Sequence, residues 1–582
     1  MGNQFRRLGL VACVAASAVL AACTQSGGDS GGTGSGGGSG GGTGGPPANA
    51  SVTQIDSQGE AATFLARAAF GGSMAQIDSL NGGDAANWVQ SEFNKSPTFY
   101  LPTLIAREQL GEDLDQRAHS RLIWDSFVAG DDQLRQRMVF ALSQIVVASD
   151  RESFVRPLTY AYYVDALVEN AFGNYRDLLQ DVTYSPYMSQ YLTYFKNRKG
   201  DPNTGRMPDE NYARELLQLF TIGLVELNMD GTPRLGPDNQ PIETYTNDDI
   251  VGLARVFTGF SWKADRFDSN NGDDDAEYSA LQSFADEHSE LEKTFLGTTI
   301  PAGTGADESV TLALDHIFAH PNVAPFVSRQ LIQRFTASNP DPAYVARVAA
   351  AFETGTFVSD NDITFGSGAR GDLRATLAAV LLDASLYDGS TANQDDFGKI
   401  REPVLRFIHW ARAFSVQNVN SGNERLLGDT SSPEDRIGQH PFRSPSVFNF
   451  YRPGYIAPNT ETGQRDLTAP ELQIVNASST IGYINFLTDF IYEDTNQRDD
   501  TLETYKPDFS AEIALADNPA ALTDRLDILL TGGRMSDDTK QQIIDTISLL
   551  PIEAGTEAED RDRRVRLAAL MAVNAPSFFV LR

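Results

Sequence analysis

Two glutamates and one arginine fall close together in the stretch PDENYARELLQLFTIG, residues 208–223. They are Glu210, Arg214 and Glu215. Carboxylates so placed can act as an acid and base pair or bind a hard cation, and an arginine can clamp an anionic group. The stretch fits a helix with one apolar side, and Pro208 suits its start. It is therefore a candidate catalytic or ligand-binding surface.

The same charges also fit the solvated face of a core helix. Glu210 and Arg214 are four residues apart, a spacing at which an exposed ion pair contributes about 0.3–0.5 kcal/mol. Judged by spacing alone, the solvated face is the favoured interpretation.

More charged residues follow in two later segments. Asp248, Asp249 and Arg255 lie on a predicted helix, and His288 and Lys293 come in a third segment. With the acids of the first stretch, the two aspartates offer oxygen ligands for a divalent cation. No other cofactor is predicted, and no metal-binding motif is identified. Alternatively, the charges form a buried ion-pair network between two helices, an interpretation that is slightly favoured.

An aromatic loop with several prolines, GQHPFRSPSVFNFYRPGY, covers residues 438–455. Aromatic side chains on a rigid loop can stack on sugars or line a pocket, and Gln439, His440, Phe448 and Asn449 would then line a groove. They can also plug a core, with the polar residues satisfying buried backbone groups. The density of aromatic residues favours the plug.

Gly366 to Gly371 fit the GxGxxG pattern of dinucleotide-binding loops. Such a site needs a strand before the loop and a second strand after the helix. Residues 361–365 make a poor strand, and the chain is polar after Tyr387. The pattern therefore predicts a flexible loop beside a helix N-terminus.

The elements that position these residues are predicted to be mostly helices. Apolar residues recur at spacings of three and four in residues 134–145, and the same holds for the segments 121–127, 161–172, 246–256 and 372–382. Strand-like alternation is scarce. One short β-hairpin is predicted in residues 225–245, where Asp230-Gly231 supplies the turn.

The predicted fold class is mainly α, a large multi-helix assembly in residues 51–582. A polar loop that begins at Asp265 divides this assembly into two candidate lobes, residues 51–265 and 290–582. The chain is long enough to bury a large core in more than one lobe.

The N-terminus has the features of an exported lipoprotein. Residues 1–22 combine a short basic region with an apolar core and end before Cys23 in the sequence LAAC. This ending resembles the bacterial lipobox, which implies cleavage before Cys23 and attachment of lipid to its thiol. Residues 23–50 are rich in glycine and serine and are predicted to form a flexible tether. The expected location is the bacterial cell envelope, at the outer membrane.

The composition argues against nucleic acid as a partner. The formal net charge is −32, and no dense run of lysine or arginine appears. The two cysteines, Cys13 and Cys23, leave the mature chain without a disulfide or a thiolate metal site.

Long motifs after the tether resemble a bacterial family of unknown function, the domain of unknown function numbered 1800. They are FLARAAFGG, NYARELLQLFTIGL, YTNDDIVGLARVFTGFSW, HSELEKTFLG, AHPNVAPFVSRQLIQRF, KIREPVLRFIHWAR, GQHPFRSPSVFNFYRPGY and APELQIVNASS. The segment SVFNFYRPGY stands where many members carry a motif rich in tryptophan and glycine. The resemblance implies a large helical exported protein but no reaction. It also implies a possible exported protein partner.

Two functions follow from the sequence. The first is a lipid-anchored envelope protein that binds a partner protein or an extracellular polymer. The alternative is a hydrolase or lyase acting on such a polymer, with carboxylates around Glu210, Glu215 and Asp248 assisted by Lys293 or His288. The enzyme function predicts that these residues converge on a concave surface. If each residue is instead paired within the core, the binding function is favoured.

Overall fold

A computed structural model describes residues 51–270, 272–387, 394, 396–419, 425, 427–492 and 503–582. The signal peptide, Cys23 and the tether predicted from the sequence lie outside these residues. Within the described ranges, no helix combines the length and the apolar character needed to cross a membrane.

Helices form about half of residues 51–254. In order they are α1 (Gln58–Ala68), α2 (Met74–Leu80), α3 (Ala85–Phe93), α4 (Leu101–Gln109), α5 (Ala118–Ala129), α6 (Gln133–Ser143), α7 (Pro157–Asn170), α8 (Tyr175–Thr183), α9 (Pro186–Tyr191), α10 (Asn211–Glu215) and α11 (Asn247–Ala254). A π-helical segment, Leu216–Thr221, continues directly from α10.

Helices also dominate the rest of the described chain. They are α12 (Ala306–Phe318), α13 (Val323–Phe335), α14 (Pro342–Thr354), α15 (Leu373–Leu382), α16 (Pro403–Ala413), α17 (Glu461–Gln464), α18 (Ala477–Tyr492), α19 (Ser510–Ile513), α20 (Pro519–Thr531), α21 (Asp537–Ser548), α22 (Glu557–Ala572) and α23 (Pro576–Phe579). Short 3-10 turns occupy Ala276–Tyr278, Ala285–Glu287, Ala384–Leu386 and Pro470–Gln473. The predicted mainly α class is confirmed.

The strands are short and pair in antiparallel twos. They are β1 (Phe260–Ser261) with β2 (Gln282–Ser283), β3 (Lys293–Phe295) with β4 (Thr298–Ile300), β5 (Phe357–Val358) with β6 (Thr364–Phe365), and β7 (Lys399–Ile400) with β8 (Val580–Leu581). The sequence pattern missed these pairs because strands of two or three residues are too short to show alternation.

The predicted hairpin at residues 225–245 forms a ladder of isolated bridges. Val225 pairs with Glu243, and Leu227 pairs with Pro233. The turn lies where the sequence predicts it, with Gly231 at φ 75°. A second turn between Gly236 and Gln240 folds the chain back once more.

Side-chain caps set several helix boundaries. The Asn174 side chain accepts the N–H of Arg176 at 2.9 Å where α8 begins. Asp341 and Asp372 cap α14 and α15 in the same way. Helix α14 ends at Gly355, whose φ of 63° lies in the left-handed region that glycine tolerates best. These boundaries therefore follow from local chemistry in the sequence.

One cluster of buried apolar residues extends from Ile55 to Phe578. It includes residues of both candidate lobes. The division at the polar loop stays a prediction.

Candidate functional site

The stretch at residues 208–223 contains helix α10, which is shorter than predicted. It begins at Asn211 rather than Pro208, and the Asp209 carboxylate accepts the N–H of Asn211 at 2.9 Å. After Glu215 the backbone widens into the π-helical segment. This winding departs from 100° per residue, and Thr221 at the end of the segment is buried. Such π segments are rare and occur frequently at functional sites.

Glu210 and Arg214 form the expected pair on the outside of α10. Their side chains are 3.2 Å apart and are 34% and 41% exposed. Water screens such a pair, which contributes little to stability. These two residues therefore fit the solvated face that spacing alone favours.

Glu215 is different, because it turns into the protein. It is 6% exposed, and its Oε2 has no hydrogen-bond partner within the described chain. Burial raises the pKa of Glu215, and the Arg214 charge opposes this shift. Tyr191 and Tyr245 lie within range of its charge. A buried carboxyl with a raised pKa is a candidate general acid.

Helix α11 packs against α10, but its charged residues serve local structure. Asp249 accepts the N–H of Thr246 at 2.7 Å and that of Leu296 at 2.6 Å, which caps α11 and fastens it to the turn after β3. Partial burial alone would raise the pKa of Asp249, but these hydrogen bonds lower it. Arg255 Nη1 donates to the Glu292 carbonyl at 2.7 Å. Asp248 is exposed.

The backbones of α11 and β3 are in very close contact. A Cβ atom on Gly252 would lie 1.8 Å from the carbonyl oxygen of Thr294. This contact brings Arg255 close to Lys293, and the Arg255 charge acts on the lysine.

His288 and Lys293 are both buried. His288 Nδ1 lies 2.8 Å from the Thr258 carbonyl, so this nitrogen carries a proton, and burial lowers the pKa of the ring. Lys293 Nζ donates to the Leu291 carbonyl at 3.3 Å. Burial, followed by Arg255, lowers the pKa of Lys293. The structure thus brings Arg255, His288 and Lys293 into one region and leaves the acids dispersed.

The acids do not gather into a cation site. Among the residues that the structure describes, no group of three or more His, Cys, Asp or Glu side chains is placed to hold a metal ion. The two aspartates of α11 differ in role, since Asp249 is engaged in capping while Asp248 faces water.

Three of the four candidate groove residues lie in the interior. Gln439, His440 and Asn449 are buried, whereas Phe448 is 37% exposed. His440 Nε2 lies 2.8 Å from Ser120 Oγ. Burial lowers the pKa of His440 to about 4, so the ring is neutral at pH 7. This arrangement agrees with the plug interpretation of the loop.

The aromatic loop meets three other segments at a group of buried polar residues. The sequence pattern did not predict this group. Gln144 Nε2 donates to Glu402 at 3.1 Å, and Tyr451 donates its hydroxyl to Gln144 at 3.1 Å. Arg137 and Arg334 lie beside them. We call these five residues the buried polar centre.

Neighbouring residues connect the loop to this centre. The Gln439 side chain donates to Glu402 and accepts the N–H of Val404 at 3.0 Å, which positions the start of α16. Asn449 donates to Gln144 at 3.4 Å. Charged residues in otherwise apolar helices, such as Arg334 in LIQRF, were the one available signal in the sequence.

A buried ion pair lies near the centre. Lys399 Nζ is 2.6 Å from Glu471, and the two side chains are 1% and 0% exposed. Lys399 also donates to the Gln333 carbonyl at 2.8 Å, and Ser338 donates to Glu471 at 2.8 Å. This pair connects β7 to the 3-10 turn at Pro470–Gln473.

A surface cleft of ≈ 420 Å³ lies between α3, α8 and the N-terminus of α15. Its floor consists of three buried phenylalanines, Phe93, Phe172 and Phe365. The Phe93 ring packs edge-to-face against each of the other two. Its rim carries amide, hydroxyl, carboxylate and guanidinium groups from Gln90, Asn174, Thr364, Ser367, Asp372 and Arg374. The glycine-rich loop discounted as a dinucleotide site begins at this rim, and Asp372 accepts the N–H of Ser367 at 2.8 Å.

Two arginines lie at this cleft, Arg374 on its rim beside the Asp372 carboxylate and Arg135 behind Phe172. Arg374 is exposed, and its guanidinium forms no hydrogen bond or ion pair within the described ranges. Arg135 is buried with its guanidinium 4.3 Å from the Phe172 ring centroid, and its Nε has no hydrogen-bond partner in the described residues. The cleft can therefore receive a polar ligand that bears an anionic group.

Fold and site together define a large, mainly α protein with small antiparallel sheets and a polar interior. A family model described as "Protein of unknown function (DUF1800)" matches residues 63–580. The chain belongs to this family, and the predicted resemblance is confirmed. No curated protein and no solved structure matches the chain.

Proposed function

We propose that this protein is a lipid-anchored protein of the bacterial cell envelope that binds an extracellular polymer in the cleft beside Arg374. The observation that carries the proposal is the exposed Arg374 guanidinium at the rim of a ≈ 420 Å³ cleft, which forms no hydrogen bond or ion pair with the described residues. A long polar polymer suits an open cleft with a rim of amide and hydroxyl groups, and a carboxylate on the polymer suits the arginine. The ligand class that fits best is an acidic polysaccharide.

The net charge of the chain makes this cleft selective. A protein with a formal net charge of −32 repels anionic polymers over most of its surface. Arg374, with Arg135 close by, supplies positive charge at this cleft beside the Asp372 carboxylate. An acidic polysaccharide would therefore bind at this cleft in preference to other parts of the protein surface.

Replacing Arg374 by alanine is expected to weaken binding of a uronate-containing polysaccharide about tenfold, because a charge-assisted hydrogen bond is lost. Binding is measured by isothermal titration calorimetry. Arg151→Ala is the matched control, since Arg151 is also exposed and without a side-chain partner in the described chain. If both variants and the unaltered protein bound the polysaccharide with equal affinity, the cleft would not be the binding site. The proposal would also be refuted if the protein bound an exported protein specifically and no polysaccharide.

Lipid anchoring rests on the sequence of the N-terminus. The box ending at Cys23 and the following tether support attachment to the outer membrane, with the folded part held clear of the lipid headgroups. In cells fed labelled palmitate, the full chain is expected to carry label and to sediment with membranes, while Cys23→Ser loses both. A labelled Cys23→Ser variant would contradict the proposal.

The second candidate function is a carboxylate-dependent hydrolase, and Glu215 is the observation that favours it. Its buried, unpartnered Oε2 and its raised pKa suit a general acid. Release of new reducing ends from an acidic polysaccharide by the unaltered protein, absent in a folded Glu215→Gln variant, would establish this function. Lack of release by the unaltered protein leaves binding as the function.

A further inference from the structure

The buried polar centre holds two arginines on different helices, and one of them contacts the helix of the other. Arg137 on α6 and Arg334 on α13 are each 1% exposed. Arg137 Nη2 donates to the carbonyl oxygen of Arg334. The Arg137 guanidinium lies 4.6 Å from the ring centroid of Phe335, and that of Arg334 lies 4.8 Å from the ring centroid of Tyr451. These contacts keep both guanidinium groups in the interior.

Most of the donors on these two groups are unused. Within the described residues, Nε and Nη1 of Arg137 and Nε, Nη1 and Nη2 of Arg334 have no hydrogen-bond partner. A guanidinium presents five N–H donors and no acceptor. Since buried donors are rarely left unpaired in folded proteins, these atoms point to a ligand that accepts hydrogen bonds.

The charges around the centre do not balance either. Lys399 and Glu471 pair with each other at 2.6 Å. Glu402 is the carboxylate whose charge acts on Arg137, while burial lowers the pKa of Arg137 to about 10. Three cations therefore face two carboxylates, and one positive charge remains. A buried charge without a counter-charge is strongly destabilising.

We propose that the buried polar centre binds one small monovalent anion, of the size and charge of chloride, against the guanidinium groups of Arg334 and Arg137. Water would accept the hydrogen bonds but would leave the excess charge, whereas an anion satisfies both. The ion lies mainly at Arg334, because three of its nitrogens have no hydrogen-bond partner among the described residues and because Glu402 repels an anion from its own side.

The proposed site is an interior one and is independent of the surface cleft. It is built from α6 and α13, with Tyr451 of the aromatic loop stacked on Arg334. Because these segments meet only in the folded protein, the anion binds the folded chain and not the unfolded one. Its concentration must then raise thermal stability by mass action.

Crystals of the protein grown in sodium bromide give the direct test, since bromide replaces chloride and scatters anomalously. A bromide peak within hydrogen-bonding distance of the Arg334 guanidinium is the expected result. An interior that shows only water or protein atoms at this place would overturn the proposal. This test uses the unaltered protein and does not depend on any variant folding.

A thermal titration gives the second test. At constant ionic strength, with gluconate replaced by chloride, the Tm is expected to rise by about 1 °C for each tenfold increase in chloride above the dissociation constant. Arg334→Met keeps an unbranched apolar stem and removes the guanidinium with its charge, so its Tm should not respond to chloride. Arg151→Met, altered on the surface, should respond like the unaltered protein. An equal response in Arg334→Met would overturn the proposal.

Discussion

Replacing Glu471 by alanine is expected to lower the free energy of unfolding by about 3–5 kcal/mol. The variant leaves the Lys399 ammonium in an interior where both partners of the pair are 1% exposed or less. The Gln333 carbonyl, at 2.8 Å, remains its only hydrogen-bond acceptor among the described residues. Ser338 loses its acceptor as well. Urea unfolding followed by circular dichroism measures the change.

Two controls separate the buried charge from general effects of the substitution. The double variant Lys399→Met with Glu471→Leu removes both charges and is expected to recover about half of the loss or more, because burying apolar groups in place of an ion pair is often neutral. Glu210→Ala breaks the exposed pair with Arg214 and should cost at most about 0.5 kcal/mol. A loss in Glu471→Ala no larger than in Glu210→Ala would show that the pair is not buried as described.

The second large effect is a loss of folding stability at acid pH. Burial lowers the pKa of His440 from 6.5 to about 4, although Asp150 and Asp429 oppose this shift. Between these two pH values the unfolded chain binds a proton at His440 that the folded chain does not bind. The free energy of unfolding therefore decreases as the pH falls through this window, by up to about 3 kcal/mol from His440 alone.

Urea unfolding at pH 7.5 and at pH 4.5 tests this dependence. His440→Gln has no proton to take up, so its stability should change less between the two pH values than that of the unaltered protein. Other buried histidines with lowered pKa values, such as His288 and His409, contribute to both proteins alike. The difference between the two proteins thus isolates His440. The same slope in both would mean that His440 is protonated freely in the folded state.

Local chemistry made much of the fold predictable. The apolar spacing in residues 134–145 and the segment 372–382 predicted helices that appear as α6 and α15. The hairpin turn at Asp230-Gly231 also lies where predicted, because an aspartate–glycine pair favours this conformation. The strands β1 to β8 were missed because two or three residues are too few to show alternation, and the pairing of β7 with β8 also joins segments far apart in the sequence.

The candidate site was less predictable, because burial of a charge depends on the whole fold. Glu210 immediately precedes the short helix α10 and Glu215 ends it, yet Glu210 is paired at the surface and Glu215 is buried. A pattern of 100° per residue places the two glutamates at different angles around the helix, but it does not show which of them the rest of the chain covers. The buried polar centre was missed for the same reason, since arginines such as Arg137 and Arg334 are exposed in most proteins.

The close contact between α11 and β3 also limits how this chain can evolve. Any side chain at position 252 would collide with the Thr294 carbonyl oxygen, 1.8 Å from where its first carbon would lie. A mutation of Gly252 can therefore persist only after the backbone around Thr294 has moved away. The two segments, 42 positions apart in the sequence, can diverge among descendants of this protein only by changing together.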